Sequence, residues 1–114
     1  MKKLNLKGKH IRLYYHTDMD GTVAALLIKL FSGAVVVEYV PCPYQNFPKK
    51  EKLPGVLDVF VDCRSKDRDE DIRIDHHGAG ESKEYLAKKG IFVNTGFDSA
   101  VRWVAIVFGL NIDG

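Results

Sequence analysis

A chain of 114 residues, 46% hydrophobic and 28% charged, has the profile of one globular domain. At this length a single core forms without disulfides or a structural metal, and two cores do not fit. A net charge of +2 and a pI near 8.5 are too mild to single out a nucleic-acid or membrane surface.

Cys42 and Cys63 stand in Pro-Cys-Pro and Asp-Cys-Arg contexts with no CxxC pair, so a reducing cytoplasm is the expected setting. No signal-peptide core precedes His10. The apolar segments Val23–Phe31 and Val101–Leu110 are interrupted by Lys29 and Arg102 and fall short of the roughly 20 residues of a membrane span.

In chain order, Lys7-Gly8-Lys9 reads as a turn and His10–His16 as a first strand, with Thr17–Gly21 as its exit loop. A helix is expected from Thr22 to Phe31, stopped by Ser32-Gly33, and Ala34–Val40 is dense enough in β-branched residues to be a second strand. Pro41–Gly55 holds all four prolines and reads as a loop. Val56–Val61 is a third strand. The hydrophilic run Arg64–Asp71 leads to the short strand Ile72–Asp75. A helix over Glu81–Lys89, a strand over Ile91–Asn94 and a closing helix over Asp98–Phe108, capped near Asp98 or Ser99, complete the chain.

Short apolar strands alternating with helices predict an α/β fold, a three-layer doubly wound and mainly parallel sheet with helices on both faces. In such sheets ligands bind beyond the carboxyl ends of the strands. Three strands here end on metal-ligand chemistry: His16-Thr17-Asp18-Met19-Asp20, Asp62, and Asp75-His76-His77. If the chain stays extended after the first strand, His16, Asp18 and Asp20 project to one side, with Gly21 permitting a tight or positive-φ turn into the helix. Each piece alone has a plain reading as a cap, a turn or a core histidine. Together, four carboxylates at one sheet edge repel and resist ionisation unless cations are present. Mixed carboxylate and imidazole ligands suit Mn²⁺, with Mg²⁺, Co²⁺ or iron as alternatives, and two ions roughly 3.5–4 Å apart form a device for in-line attack on phosphorus.

His16-Thr17-Asp18-Met19-Asp20-Gly21, Asp62 after an apolar strand, and Asp75-His76-His77 resemble, in order, the first three motifs of the DHH phosphoesterase superfamily. That superfamily includes single-strand-specific 5′ exonucleases, oligoribonucleases that also hydrolyse 3′-phosphoadenosine 5′-phosphate, cyclic-dinucleotide phosphodiesterases, manganese pyrophosphatases and exopolyphosphatases. The resemblance implies that Asp18 serves one metal, Asp20 the other, and Asp62 bridges them. It implies His76 as a ligand of the second metal, His77 as a donor to substrate phosphate, and Asp75 as a residue that orients a histidine. Of two spacings used in the family, this chain has the shorter, which makes His16 a ligand and Tyr14 a packing residue. Asp98–Trp103 resembles the small-residue helix start that follows the third motif.

Arg64 is a candidate for reaching a substrate phosphate, and Gly78-Ala79-Gly80 could offer it backbone N–H groups. Trp103 and Phe108 are expected in the core. The Tyr44–Lys52 loop is the one local candidate for nucleic acid, with a solvated connection as the plainer expectation.

The family's last ligand aspartate and its carboxy-terminal substrate domain have no counterpart; Asp98 and Asp113 lack the expected setting. Residues 1–114 therefore resemble the amino-terminal domain of such an enzyme, incomplete at its carboxyl end. The expected function is hydrolysis of phosphodiester or phosphoanhydride bonds in short single-stranded nucleic acid, nucleotides or polyphosphate. The alternative is a catalytically incomplete metal- and phosphate-binding or regulatory module. The apolar closing helix leaves room for a homodimer, and no membrane partner is expected.

Overall fold

Runs of β-branched and aromatic residues become strands, and all the strand pairings are parallel among the described residues. The structure is a computed structural model describing residues 3–78 and 81–110. Its elements are β1 (His10–His16), α1 (Met19–Phe31), β2 (Val35–Cys42), β3 (Asn46–Phe47), β4 (Leu57–Val61), β5 (Arg64–Ser65), β6 (Ile72–Asp75), α2 (Lys83–Ala87), β7 (Ile91–Val93) and α3 (Ala100–Phe108). Five strands form one sheet in the order β2-β1-β4-β6-β7, and β3 and β5 form a separate two-stranded ladder. The fold is thus mixed α/β around a parallel sheet.

Alternation along β1 sends Ile11 and Leu13 to one face and Arg12, Tyr14 and His16 to the other. On the first face Leu13, Ile28, Val59, Ile74, Trp103 and Val104 belong to one buried core, in which α1 and α3 pack on each other. Trp103 is buried and donates its indole N–H to Phe92 O at 2.8 Å, and Phe108 packs against the same core, as expected.

On the second face Tyr14 stacks on Phe60, with ring centroids 4.0 Å apart, in a cluster that also buries Cys42 and Cys63. The two cysteines, unlike in sequence context, are therefore neighbours in one cluster, both as free thiols. This face is covered by the proline-rich segment between β2 and β4. Lys50 N–H donates to the Tyr14 hydroxyl at 2.9 Å, and Arg12 donates to Glu51 O at 2.8 Å. The lysines of that segment are paired with carboxylates: Lys49 with Asp69 at 3.3 Å, Lys50 with Glu38 and Lys52 with Asp71. These pairs join the segment to β2 and to the stretch before β6.

Two local expectations need correction. The first helix begins at Met19, not Thr22, because Asp18 takes the N-cap and accepts the Gly21 N–H at 2.8 Å. Gly21 lies inside that helix, without positive φ. Its role is close approach: a Cβ there would lie 2.2 Å from His16 O. The proline-rich loop also contains β3, whose pairing with β5 the sequence pattern did not suggest. Ala79, Gly80 and Asp113 lie outside the described residues.

Gly21→Ala is expected to destabilise the fold by at least the roughly 1–3 kcal/mol of an overpacked site, because backbone and not a flexible side chain must yield. Urea denaturation of the variant beside wild type measures this.

Candidate metal centre

The strand order reverses between β1 and β4: the chain moves from β1 outward to β2, then crosses back to β4. A crevice forms outside the carboxyl ends of strands at such a point. Tyr15 pairs with Val61, and Val61 with Ile74, so the next residues, His16, Asp62 and Asp75, emerge side by side. Asp62 adopts a left-handed conformation (φ 58), which turns Cys63 into the second-face cluster. Asp residues tolerate that region better than most.

The Asp62 side chain is wholly buried, and neither of its oxygens has a hydrogen-bond partner. Around Asp62 the groups form two sets. On one side His16 Nδ1 lies 3.7 Å from Asp62 Oδ2 and 3.0 Å from Asp18 Oδ2. On the other, His76 Nε2 is 3.2 Å and His77 Nδ1 3.5 Å from Asp62 Oδ1. Ligand atoms of His16, Asp18 and Asp62 all lie within 4.8 Å of one another, as do those of Asp62, Asp75, His76 and His77.

The histidines are oriented from behind. His76 Nδ1 is 3.1 Å from Phe97 O, so it donates there and Nε2 is the atom that faces Asp62 and Asp20. Asp75 Oδ1 accepts the backbone N–H groups of His76 and His77 and lies 3.0 Å from His77 Nδ1. That is the orienting geometry expected of Asp75. Its other oxygen pairs with Arg73, a buried cation that also donates to Glu81 and to His77 O.

Asp20 departs from the expected pattern. Since α1 has begun by residue 19, His16, Asp18 and Asp20 do not share an extended segment. The Asp20 carboxylate instead accepts N–H groups from the first turn of α3, Ala100 at 2.8 Å and Val101 at 3.2 Å. It remains 3.3 Å from His76 Nε2 through Oδ2. Ser99 caps α3, as its sequence suggested.

A cleft of about 370 Å³ opens beside the second set, lined by Gln45, Arg64, Arg73, His76, His77 and Thr95 among others. Arg64 lines it, with its guanidinium donating to Glu81 at 2.9 Å. Gln45, whose amide nitrogen is 3.0 Å from His77 Nδ1, went unnoticed in the sequence. So did Arg73, although a cation two residues before Asp75 in an otherwise apolar strand was a usable sign.

Burial above all, then the charges of Asp18, Asp75 and Asp20, push the Asp62 carboxyl up to about 8. Partial burial works the same way on Asp18, but the Gly21 amide and His16 outweigh it and hold that carboxyl below its usual range. Among the described residues the ion pairs of Asp18, Asp20 and Asp62 are all with histidines. An orphaned buried carboxylate between two imidazole-bearing sets is the donor chemistry a pair of divalent cations requires, and the residues fit that group.

Comparison with protein-family models, characterised proteins and solved structures finds no match to this chain.

Without cations the folded protein holds the Asp62 proton more tightly than an unfolded carboxyl near 3.8 does. Asp62 therefore costs nothing when both states are protonated, lowers stability as pH rises from about 4 to about 8, and costs most above 8. In chelator, Asp62→Asn is expected to melt above wild type near pH 8 and close to it near pH 4. Thermal melts at the two pH values test this.

Proposed function

We propose that this chain is a phosphohydrolase domain of the DHH type that uses two divalent cations, Mn²⁺ foremost, to cleave phosphodiester or phosphoanhydride bonds. The observation that carries this reading is Asp62, buried, without a hydrogen-bond partner and shared by two ligand sets. His16 and Asp18 would hold one ion, His76 with Asp20 the other, and Asp62 both. When bound, such ions supply Lewis-acid stabilisation of charge on phosphorus oxygens and lower the pKa of a water.

The chain's own residues bind and orient. His77, half-exposed at the cleft and backed by Asp75, is placed to donate a proton or hydrogen bond to a phosphate oxygen. Arg64 and Arg73 line the cleft, and both guanidinium groups are held by Glu81. The ligand class this suits is a phosphorylated small molecule or the end of a short single-stranded nucleic acid. The same reading takes the sheet as the centre of a three-layer doubly wound domain with a cytoplasmic setting.

One observation favours a second reading, a metal- and phosphate-binding module without turnover. The Asp20 carboxylate, expected as a ligand, is committed to the α3 N-terminus.

Mn²⁺ is expected to raise the melting temperature, since a ligand that binds only the native state stabilises it. It should also support release of nitrophenol from a bis-nitrophenyl phosphodiester, with Asp62→Ala lowering the rate by at least roughly 10²-fold, in the range of losing one stabilising group at a reacting centre. Full activity in that variant refutes the assignment of Asp62. Stabilisation by Mn²⁺ with no hydrolysis selects the binding module, and an unchanged melt removes both readings.

A further inference from the structure

We propose that the chain forms a two-fold homodimer through the outer face of α1. At 100° per residue, Gly21, Ala24, Ala25 and Ile28 share the face that enters the core. Met19, Val23, Leu26 and Leu30 lie on the opposite side in a 4-3-4 spacing, and all four are exposed. Only Asp20, Thr22 and Lys29 interrupt an apolar surface that runs around the helix. A helix that is apolar all round belongs in an interior, so α1 is half of its intended packing.

The neighbouring sheet edge extends the patch. Among the described residues β2 is the edge strand of the sheet, and Tyr39, whose register partner Leu13 faces the helices, is exposed along it on the α1 side. Between α1 and β2 runs a groove of about 280 Å³, lined in part by Tyr15, Leu26, Lys29 and Tyr39.

The geometry points to a second copy as the occupant. A 4-3-4 stripe is the seam that packs knobs into holes against its own kind. With two antiparallel α1 helices about a two-fold axis, Leu30 of each lies against Met19 of the other, and Val23 against Leu26. Lys29, in the last turn of one helix, then faces the acidic start of the other, where Asp18 is half-exposed. The antiparallel macrodipoles also favour this pairing. The closing helix α3, the surface suggested by sequence, is by contrast mostly buried, with Ile106 its one large exposed apolar side chain among the described residues.

Because Asp18 is also assigned to a cation, the proposal is tested in chelator, by light scattering coupled to gel filtration, so that the outcome does not depend on metal binding. Wild type is expected at twice the 12.8 kDa chain mass. Leu26→Glu should run at the single-chain mass with an unchanged circular dichroism spectrum, and Ile106→Glu should remain dimeric. If Leu26→Glu fails to fold, Leu30→Lys, at a more exposed position, decides. Wild type at single-chain mass at its highest soluble concentration overturns the proposal, as does a dimer that survives either α1 substitution.

Discussion

A carboxylate with no partner, held out of water, is the constraint around which this protein is arranged. An ionised carboxylate in an apolar interior costs several kcal/mol unless it is paired. Asp62, at the end of a strand whose last four residues are all buried, escapes that cost without cations only by holding its proton up to about pH 8. Elsewhere the chain answers the same problem with its own cations. Arg12 lies 2.9 Å from buried Asp58, Arg73 meets Asp75, and Arg64 and Arg73 share Glu81. At Asp62 it supplies imidazoles instead, groups that offer a lone pair when neutral. Only a proton or a cation from solution can complete such an arrangement, and the raised carboxyl at about 8 is the proton's version of it.

The carboxylates flanking Asp62 are fixed by helix ends. Asp18 caps α1, and Asp20 accepts the first amides of α3, so two helix N-termini face the acidic cluster. Their unpaired N–H groups and partial positive charge offset some of the repulsion that four aspartates create. The same contacts tie the first-face helices together above the site. Gly21 completes the joint, since any side chain there would meet the His16 carbonyl and push β1 away from α1.

Periodicity carried most of the fold. β1 and β6 fall where their β-prone runs lie, because a strand buried between neighbours needs little besides apolar or β-branched residues. α1 starts three residues before the Thr22 that the apolar run suggests, because the Asp18 carboxylate, which has ligand chemistry in sequence, caps the helix. The ladder of β3 with β5 depends on pairing between residues eighteen positions apart and has no local signature. At the site, the gathering of His16, Asp62 and Asp75–His77 was legible because strand ends converge in a parallel sheet. The redirection of Asp20 was not, since it depends on where the α3 N-terminus arrives, a tertiary fact. Gln45 was likewise invisible, because β3 places it.

The two adjacent histidines show how one tripeptide acquires two functions. His76 turns inward, its Nδ1 held by Phe97 O and its Nε2 presented to Asp62. His77 turns to the cleft, its Nδ1 against Asp75. What separates them is Arg73, buried two residues earlier in β6. It holds one Asp75 oxygen and the His77 carbonyl together, and this leaves the other Asp75 oxygen to gather both histidine backbone amides. The backbone is thereby wrapped around a carboxylate, and two consecutive side chains that would alternate in a strand are both delivered to the same crevice, one to its floor and one to its mouth. A cation on the second face of the sheet thus shapes, through Asp75, a centre in which the ion pairs of Asp18, Asp20 and Asp62 are all with histidines among the described residues.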